Sequence, residues 1–509
     1  MFELHTPEQA ARWLRSHVSG ALTTDSRKVR AGDGFIAWPG AATDGRQYVN
    51  AALAQGARAC LVEQAGVESF DFKSERVAAY AQLKAGSGPI AANYYEQPSR
   101  EMEVLAVTGT NGKTSTTWWL AQALTELSPS IPCGLIGTLG VGRAPRADTQ
   151  EHATAKVVST GLTTPDPVLL QQTLRRFVDE GLKACAIEAS SIGIEERRLD
   201  GLRIHTAVFT NFTQDHLDYH GGMDAYWQAK AALFDWPELR AAVINIDDER
   251  GAELAHSLSA RALDVWTVSC RGPARLMARA IRFDGQGLRF SVCEGDAQTE
   301  ISTHLIGEYN VSNLLEVIAA MRTLGVPLAD CVNACRVLHP VPGRMELQAI
   351  PDQPLAVVDY AHTPDALAQV LQALRPLARQ RGGQLWCVFG CGGDRDPTKR
   401  PLMGAVAAQH ADRIVLTSDN PRSERAEVII SQILLGLEGV ASVEVQADRA
   451  QAIAQTVQQA DARDVVLVAG KGHEDYQETA GVRQPFSDRL ELGKALQARA
   501  RPAAAGGAA

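Results

Sequence analysis

The stretch Glu103-Val-Leu-Ala-Val-Thr-Gly-Thr-Asn-Gly-Lys-Thr-Ser-Thr-Thr117 limits the fold more than any other part of the chain. Its apolar run, residues 104–107, reads as a buried strand. A glycine-rich turn follows, Gly109-Thr-Asn-Gly-Lys-Thr114, and residues 115–124 read as a helix. This order puts backbone N–H groups and a helix N-terminus where a chain of phosphates can sit. Gly109 and Gly112 let the backbone come close to an anion. Lys113 is placed to reach the outer phosphates and the Thr114 hydroxyl to reach Mg²⁺. The spacing departs from the standard phosphate loop, which has four residues between its glycines where this one has two. Val107 stands where that pattern has its first glycine. The competing reading is a strand–turn–helix whose glycines serve only the turn.

The 509 residues suffice for about three domains. A net charge of −9 and the lack of a basic stripe argue against nucleic acid as a partner. The nine cysteines are scattered, and neither Cys331/Cys335 nor Cys387/Cys391 has a second pair with which to hold zinc. Free thiols in a reducing compartment follow. The first residues lack the charged and apolar regions of a signal peptide, and no window approaches the ~18 apolar residues of a membrane span. A cytoplasmic location is expected.

Residues 1–98 read as a small α/β unit, with strands at 34–38 and 59–62, a Gly/Asp loop at 39–46 and a helix at 48–55. Residues 99–342 form a second unit. Its apolar runs at 104–107, 184–187, 206–209 and 241–246 are short and nearly continuous, as in a buried parallel sheet. Polar residues follow each run, which points the chemistry to one sheet edge. The polar segment 128–164 reads as one long loop. Residues 343–498 form a third unit with strands at 356–358, 385–389, 413–416, 442–445 and 464–468 and helices at 399–409 and 426–436, a second doubly wound pattern. Residues 499–509 read as a disordered tail. The expected class is α/β throughout: a central phosphate-loop domain with a mostly parallel sheet, a Rossmann-like third domain and a small first domain.

Glu188 ends a strand facing the glycine loop, where a carboxylate is either a Mg²⁺ ligand or a cap. The segment Asn211-Phe-Thr-Gln-Asp-His-Leu-Asp-Tyr-His220 gathers two His and two Asp. His216 there is a further candidate for Mg²⁺. Lys230 shares a helix face with Tyr226, Trp227, Leu233 and Phe234. It is either a snorkelling lysine or a neutral amine that takes up CO₂ as a carbamate and ligates metal. Asn310 and Asn313 fall at the polar start of a helix at 314–324, where capping could explain one of them.

Together these pieces resemble the Mur ligases, ATP-dependent amide-forming enzymes of peptidoglycan synthesis. The matching residues are Gly109-Thr-Asn-Gly-Lys-Thr114, Asn211 with Asp215-His-Leu-Asp-Tyr-His220, Asn310 with Asn313, Gly343-Arg344 and Asp359-Tyr-Ala-His362. Asp419-Asn-Pro-Arg422, with Gly390-Cys-Gly-Gly-Asp-Arg-Asp396 and Gly470-Lys-Gly-His-Glu474, resembles the members that take meso-diaminopimelate. The resemblance implies that Gly109, Thr110, Asn111, Gly112, Lys113, Thr114 and Ser115 hold ATP, with Asn310, Arg344 and Asp359. It implies Mg²⁺ on Thr114, Glu188, His216 and a carbamylated Lys230, and catalysis by Lys113, Lys230 and His216. Thr24, Ser26, Thr163, Thr164, Ser190, Glu196 and Arg198 would bind a UDP-sugar dipeptide. Arg395, Asp419, Asn420, Pro421, Arg422, Gly470 and Glu474 would bind diaminopimelate. Two positions depart from the family pattern: Glu196 stands for a glutamine and Ile192 for a histidine. The expected partners are these small molecules alone, for a monomer with no membrane span. The rival readings are a lysine-adding or folate polyglutamate ligase, and a nucleotide switch without substrate-dependent turnover.

Overall fold

Short apolar runs interrupted by polar strand ends fold into three main sheets among the described residues, beside a two-stranded antiparallel ribbon of Tyr476–Thr479 and Val482–Pro485. The computed structural model describes residues 2–40, 43–146, 157–283, 287–440 and 443–500. Ala41 and Ala42 of the first Gly/Asp loop, Ser442 and the expected disordered residues 501–509 lie outside that set. Residues 499 and 500, read as part of the tail, close the helix Asp488–Ala500.

The first sheet is parallel, in the order Phe2–Leu4, Val77–Tyr80, Ala59–Glu63, Gly34–Ala37, Leu22–Thr23. The helix read at 48–55 is shorter, Val49–Ala54, entered through a 3₁₀ turn at Gly45–Tyr48.

The middle sheet has eleven strands. At its centre, Glu103–Thr108 lies between Ala184–Glu188 and Thr206–Phe209, and Ala241–Asn245 follows, all parallel. Side chains alternate across it with the period of two that a strand imposes. Leu105, Val107, Val208 and Val243 pack on one face, under the helices Lys113–Glu126 and Tyr309–Thr323. Val104, Ala106, Ile187, Phe209 and Ile244 pack on the other. Burial on both faces explains the near-continuous apolar runs.

Two expectations need correction here. The supposed loop at 128–164 contains the strands Cys133–Gly137, Gly140–Gly142 and Val157–Val158. Glycine has low strand propensity and hides these strands from the sequence, yet close packing demands it. A Cβ on Gly134 would overlap the Phe177 ring, and one on Gly137 would overlap Glu188 Oε1. The helix expected to start at 314 starts at Tyr309, so Asn310 and Asn313 lie inside its first turns, both buried, and neither caps it. On the far side, Asp264–Ser269 and Leu276–Phe283 extend the sheet in parallel, and Leu288–Glu294 and Ala297–Ser302 add an antiparallel meander.

The third sheet runs Glu346–Gln348, Leu355–Asp359, Val465–Ala469, Leu385–Phe389, Arg413–Leu416, Val443–Val445, parallel except at Glu346–Gln348.

Candidate active site

The glycine loop is shaped by its neighbours. Gly109 has φ +143° and Gly112 φ +86°. A Cβ on Gly109 would overlap Thr210 Oγ1, and one on Gly112 would lie 2.6 Å from Asn313 Oδ1. Glycine meets both demands, for close approach and for positive φ. Asn211 Oδ1 accepts from the Asn111 N–H (2.8 Å), and Thr110 Oγ1 meets both Thr213 O and the Tyr226 hydroxyl at 3.1 Å. Lys113 is the first residue of the helix, and its Nζ donates to Gly109 O (2.9 Å) and Thr110 O (2.8 Å). Burial holds its pKa below the usual lysine value, against the charges of Glu188 and Asp215.

A cavity of about 610 Å³ opens at this loop. It is lined from the C-terminal ends of four middle-sheet strands: Thr110 to Ser115, then Glu188 and Ser190, then Asn211, Asp215 and His216, then Asn245, Asp247 and Asp248. Lys230, Asn310, Asn313 and Thr163 join from neighbouring segments, and Arg344 and Asp359 from the start of the third unit.

Glu188, almost fully enclosed, accepts from Thr114 Oγ1 (3.1 Å), Thr138 Oγ1 (3.0 Å) and the Thr138 N–H (2.8 Å). His216 has a backbone φ of +53°, and burial lowers its pKa to about 4 although Asp215 pulls the other way. A neutral imidazole keeps a lone pair for a metal. Lys230, 1 % exposed, donates from Nζ to Gly109 O (2.7 Å), 4.4 Å from the centre of the Tyr226 ring. Burial, reinforced by the Lys113 charge, takes its pKa well below the usual value. The expected apolar helix face therefore holds a fully enclosed amine, not a snorkelling one. Among the described residues no group of three His, Cys, Asp or Glu side chains is gathered for a metal. A hard cation kept largely by water and phosphate oxygens needs only one or two carboxylates from the protein, and Glu188 with Thr114 offers such a set.

Arg344 donates from Nη2 to Thr114 Oγ1 (3.3 Å) and lies 4.1 Å from the centre of the Tyr360 ring. Its Nη1 is buried with no hydrogen-bond partner among the described residues, which suits an anion or a ribose hydroxyl in the cavity. Asp359 accepts from the Met345 and Ala361 N–H groups at 2.7 Å, and burial raises its pKa despite Arg344. Asn310 donates to Ile306 O (2.7 Å), and Asn313 Nδ2 to Asn310 Oδ1 (3.0 Å).

The residues expected to hold the sugar nucleotide are only partly brought together. Thr164 Oγ1 donates to Glu188 O (2.8 Å) and meets Ser190 Oγ (3.0 Å), Arg198 Nη1 donates to Thr164 O (3.0 Å), and Thr138 Oγ1, whose proton goes to Glu188, meets Thr163 Oγ1 (3.1 Å). Glu196 turns away to Lys84 Nζ (2.6 Å) and the Tyr219 hydroxyl (2.8 Å). Thr24 and Ser26 lie in the first unit, Thr24 hydrogen-bonded to the Asp166 carboxylate of the middle unit, two residues past Thr164, and Ser26 opening a 3₁₀ turn at Ser26–Lys28.

The third unit carries a second cluster, separate from the cavity. Asn420 Nδ2 donates to Glu474 Oε2 (2.8 Å), and the fully buried Lys471 Nζ donates to Asn420 Oδ1 (3.0 Å) and Glu474 Oε2 (2.8 Å). Pro421 is buried, and a Cβ on Gly393 would overlap its carbonyl oxygen. Arg422, with φ +54°, donates from Nη1 to Gly393 O (2.7 Å). Glu424, a conceivable surface partner for it, is taken by Arg400 through two 2.8 Å bonds. A Cβ on Gly392 would lie 2.9 Å from Arg422 Nη1 and 3.8 Å from Arg395 Cγ, so the two arginines flank one glycine. Arg395 is exposed and bonds the neighbouring Asp394 O (3.0 Å).

Sequence reasoning singled out no role for three residues that structure the site. Thr138 lay in the presumed loop. Lys471, three residues before Glu474 and inside a quoted motif, could have been found from that spacing. Asp215, 7 % exposed, faces His362 Nε2 (3.8 Å) and Lys399 Nζ (4.0 Å) of the third unit. Burial opposes its ionisation, but His362, His216 and Lys399 together hold its pKa below the ordinary aspartate value.

Comparison with known proteins gives three family matches: the Mur ligase family catalytic domain over residues 20–88, the Mur ligase middle domain over 107–321, and the Mur ligase glutamate ligase domain over 343–472. The chain is 59% identical over 501 residues to the UDP-N-acetylmuramoyl-L-alanyl-D-glutamate--2,6-diaminopimelate ligase of Acidovorax sp. (strain JS42), covering 97% of this chain and 98% of that protein. A solved structure of a ligase of the same description is 35% identical, with a TM-score of 0.63 and 95% of each chain covered. The MurF ligase of Thermotoga maritima in complex with ADP is 17% identical and shares the fold alone, with a TM-score of 0.66 over 94% of this chain and 97% of that one.

Proposed function

The chain belongs to the Mur ligase family, and from its geometry we infer how the reaction is carried. It is an ATP-dependent ligase that joins meso-2,6-diaminopimelate to UDP-N-acetylmuramoyl-L-alanyl-D-glutamate in peptidoglycan precursor synthesis. The observation that carries the reading is the single cavity in which Lys113, Glu188, His216 and Lys230 meet Arg344 and Asp359.

A carboxylate does not condense with an amine at neutral pH without activation. The D-glutamyl carboxylate attacks the γ-phosphorus of ATP, the bond to the ADP oxygen breaks, and an acyl phosphate forms. The amine of diaminopimelate then attacks the acyl carbon, loses a proton and expels phosphate. Two anions meet in the first step, so cationic groups fixed in advance around them lower the barrier. Lys113 and Arg344 are those groups on this chain. Thr114, Glu188 and neutral His216 fit Mg²⁺, which when bound offsets the remaining phosphate charge. Neutral Lys230 is suited to add its lone pair to CO₂ and release a proton, and the resulting carbamate would give Mg²⁺ one more anionic oxygen. Residues 1–98 are assigned to the sugar nucleotide, 99–342 to ATP and 343–498 to the amino acid. Action as a monomer in the cytoplasm on polar small molecules completes the reading.

Diaminopimelate exceeds lysine by one carboxylate. Arg422 presents a planar fork suited to a carboxylate, and Arg395 stands across Gly392 from it. Lysine would leave that guanidinium unpaired, at a cost of roughly 2–5 kcal/mol, or about two to four decades in kcat/KM. The test measures ADP release with UDP-N-acetylmuramoyl-dipeptide and either amino acid. Wild type should prefer diaminopimelate, and Arg422→Ala should raise its KM strongly while sparing that for ATP. Equal use of lysine by wild type would refute the assignment, and turnover independent of any amino acid would favour a nucleotide switch.

A further inference from the structure

Arg449 and Asp488 lie outside every motif quoted above. Arg449 opens the helix Arg449–Gln459, and Asp488 opens the helix Asp488–Ala500. Both side chains are fully enclosed. Arg449 Nε donates to Asp488 Oδ1 and Nη2 to Asp488 Oδ2, each at 2.7 Å. Such a pair brings little net stability over an apolar pair of the same volume, so stability alone is a weak account of it. The rest of the guanidinium offers a better one. Nη1 donates to Ser418 O (3.1 Å) and Nη2 to Ala469 O (2.8 Å). Ser418 and Ala469 immediately precede Asp419 and Gly470; Ala469 ends the strand Val465–Ala469, and Ser418 lies two residues past the strand Arg413–Leu416. The two loops abut: a Cβ on Gly470 would lie 2.5 Å from Asp419 Oδ2.

We propose that the Arg449–Asp488 pair positions the amino-acid site, with Asp488 fixing the plane of the guanidinium and the guanidinium fixing the spacing between the Asp419 and Gly470 loops. Neither residue touches substrate. A lysine at 449 would keep the charge but lose the rigid fork that reaches two carbonyls at once. The inference rests on the assignment of these loops to diaminopimelate.

The experiment uses the full chain with Arg449→Lys, the double variant Arg449→Met with Asp488→Leu, and Arg422→Ala as reference. The double variant removes both charges together and so strands neither in the interior; if it fails to fold, Arg449→Lys carries the test. Both should raise the KM for diaminopimelate about ten- to a hundredfold and leave those for ATP and the sugar nucleotide within about twofold. An unchanged KM for diaminopimelate in a folded 449 variant, alongside a raised one in Arg422→Ala, overturns the positioning role and leaves the site assignment standing. An unchanged KM in all three overturns the assignment itself. A parallel rise in all three KM values means a general structural role and also overturns the proposal.

Discussion

Lys230 is a side chain whose ordinary charge its surroundings refuse. Its Nζ is enclosed, bonded to a backbone carbonyl and repelled by Lys113. Neutrality is the cheaper state, and a neutral amine is the form that reacts with CO₂. Lys230→Ala should lose activity by about a hundred- to a thousandfold, the scale of removing one preorganised charge-stabilising group. Short carboxylates such as acetate should restore part of it. A carbamate carbon signal in ¹³CO₂-equilibrated wild type should be absent in that variant, and its absence from active wild type would dismiss the modification. His473 follows the same logic with the opposite consequence. Burial, with the charges of Arg344 and Lys471, lowers its pKa from 6.5 to about 3. Between these values the unfolded chain holds a proton that the folded one refuses, so stability falls as pH drops from 6.5 toward 3. The His473 ring signal should therefore not titrate near 6.5, and His473→Gln should flatten the acid slope of the thermal midpoint. A midpoint at 6.5 would show that the ring is not enclosed in solution.

At the scale of elements, a glycine placed against the proposed metal set does what no larger residue could. A methyl at Gly137 would overlap Glu188 Oε1, and Thr138, next in the chain, holds that carboxylate through two bonds. Gly137→Ala should shift Glu188 and lower kcat by about a hundredfold, with the thermal midpoint moved by only a few degrees. An active variant would remove Glu188 from the proposed metal set. The same strand marks where sequence reading fails. Thr206–Phe209 and Leu385–Phe389 were legible to the residue because both of their faces are buried and, Thr206 apart, their side chains are apolar. Cys133–Gly137 is as buried, but its glycines erase the apolar signal. Leu276–Phe283 was missed for another reason: its outer half is exposed and carries Arg279 and Arg282, so it has no continuous run. The glycine loop, Glu188, His216 and Lys230 were legible because each follows a readable strand or sits on a readable helix. Asp215's partners were not, because His362 and Lys399 reach it only through the placement of one unit against another.

That placement is the property of the whole molecule on which joining two substrates depends. The third unit touches the loops that carry Asn111, Thr114 and Gln214 through polar bridges. Asn111 Nδ2 donates to Asp365 Oδ2 (3.2 Å), Gln214 Nε2 donates to Asp396 Oδ2 (3.3 Å) and to Thr398 Oγ1 (3.2 Å), and Arg344 donates to Thr114. Asp396 and Thr398 belong to the loop that carries Arg395, and Gln214 to the one that carries His216. A shift between the units would thus move the proposed amino-acid site relative to the proposed phosphate site, and attack on the acyl carbon tolerates little displacement. Asp365 suits a test, since it follows Pro364 at the start of the helix Pro364–Arg381 and is not among the residues assigned to any substrate. Asp365→Ala removes its one hydrogen bond to the Asn111 side chain across the units, worth about 0.5–1.5 kcal/mol, or about two- to twelvefold in kcat/KM for diaminopimelate. The affinity for ATP in the absence of the amino acid should change less than that, because ATP is assigned chiefly to the middle unit. Small-angle scattering of the variant should report a broader distribution of distances than wild type. Should ATP affinity fall as much as amide formation, Asp365 would be part of the nucleotide site and not of a contact that holds the two units in register.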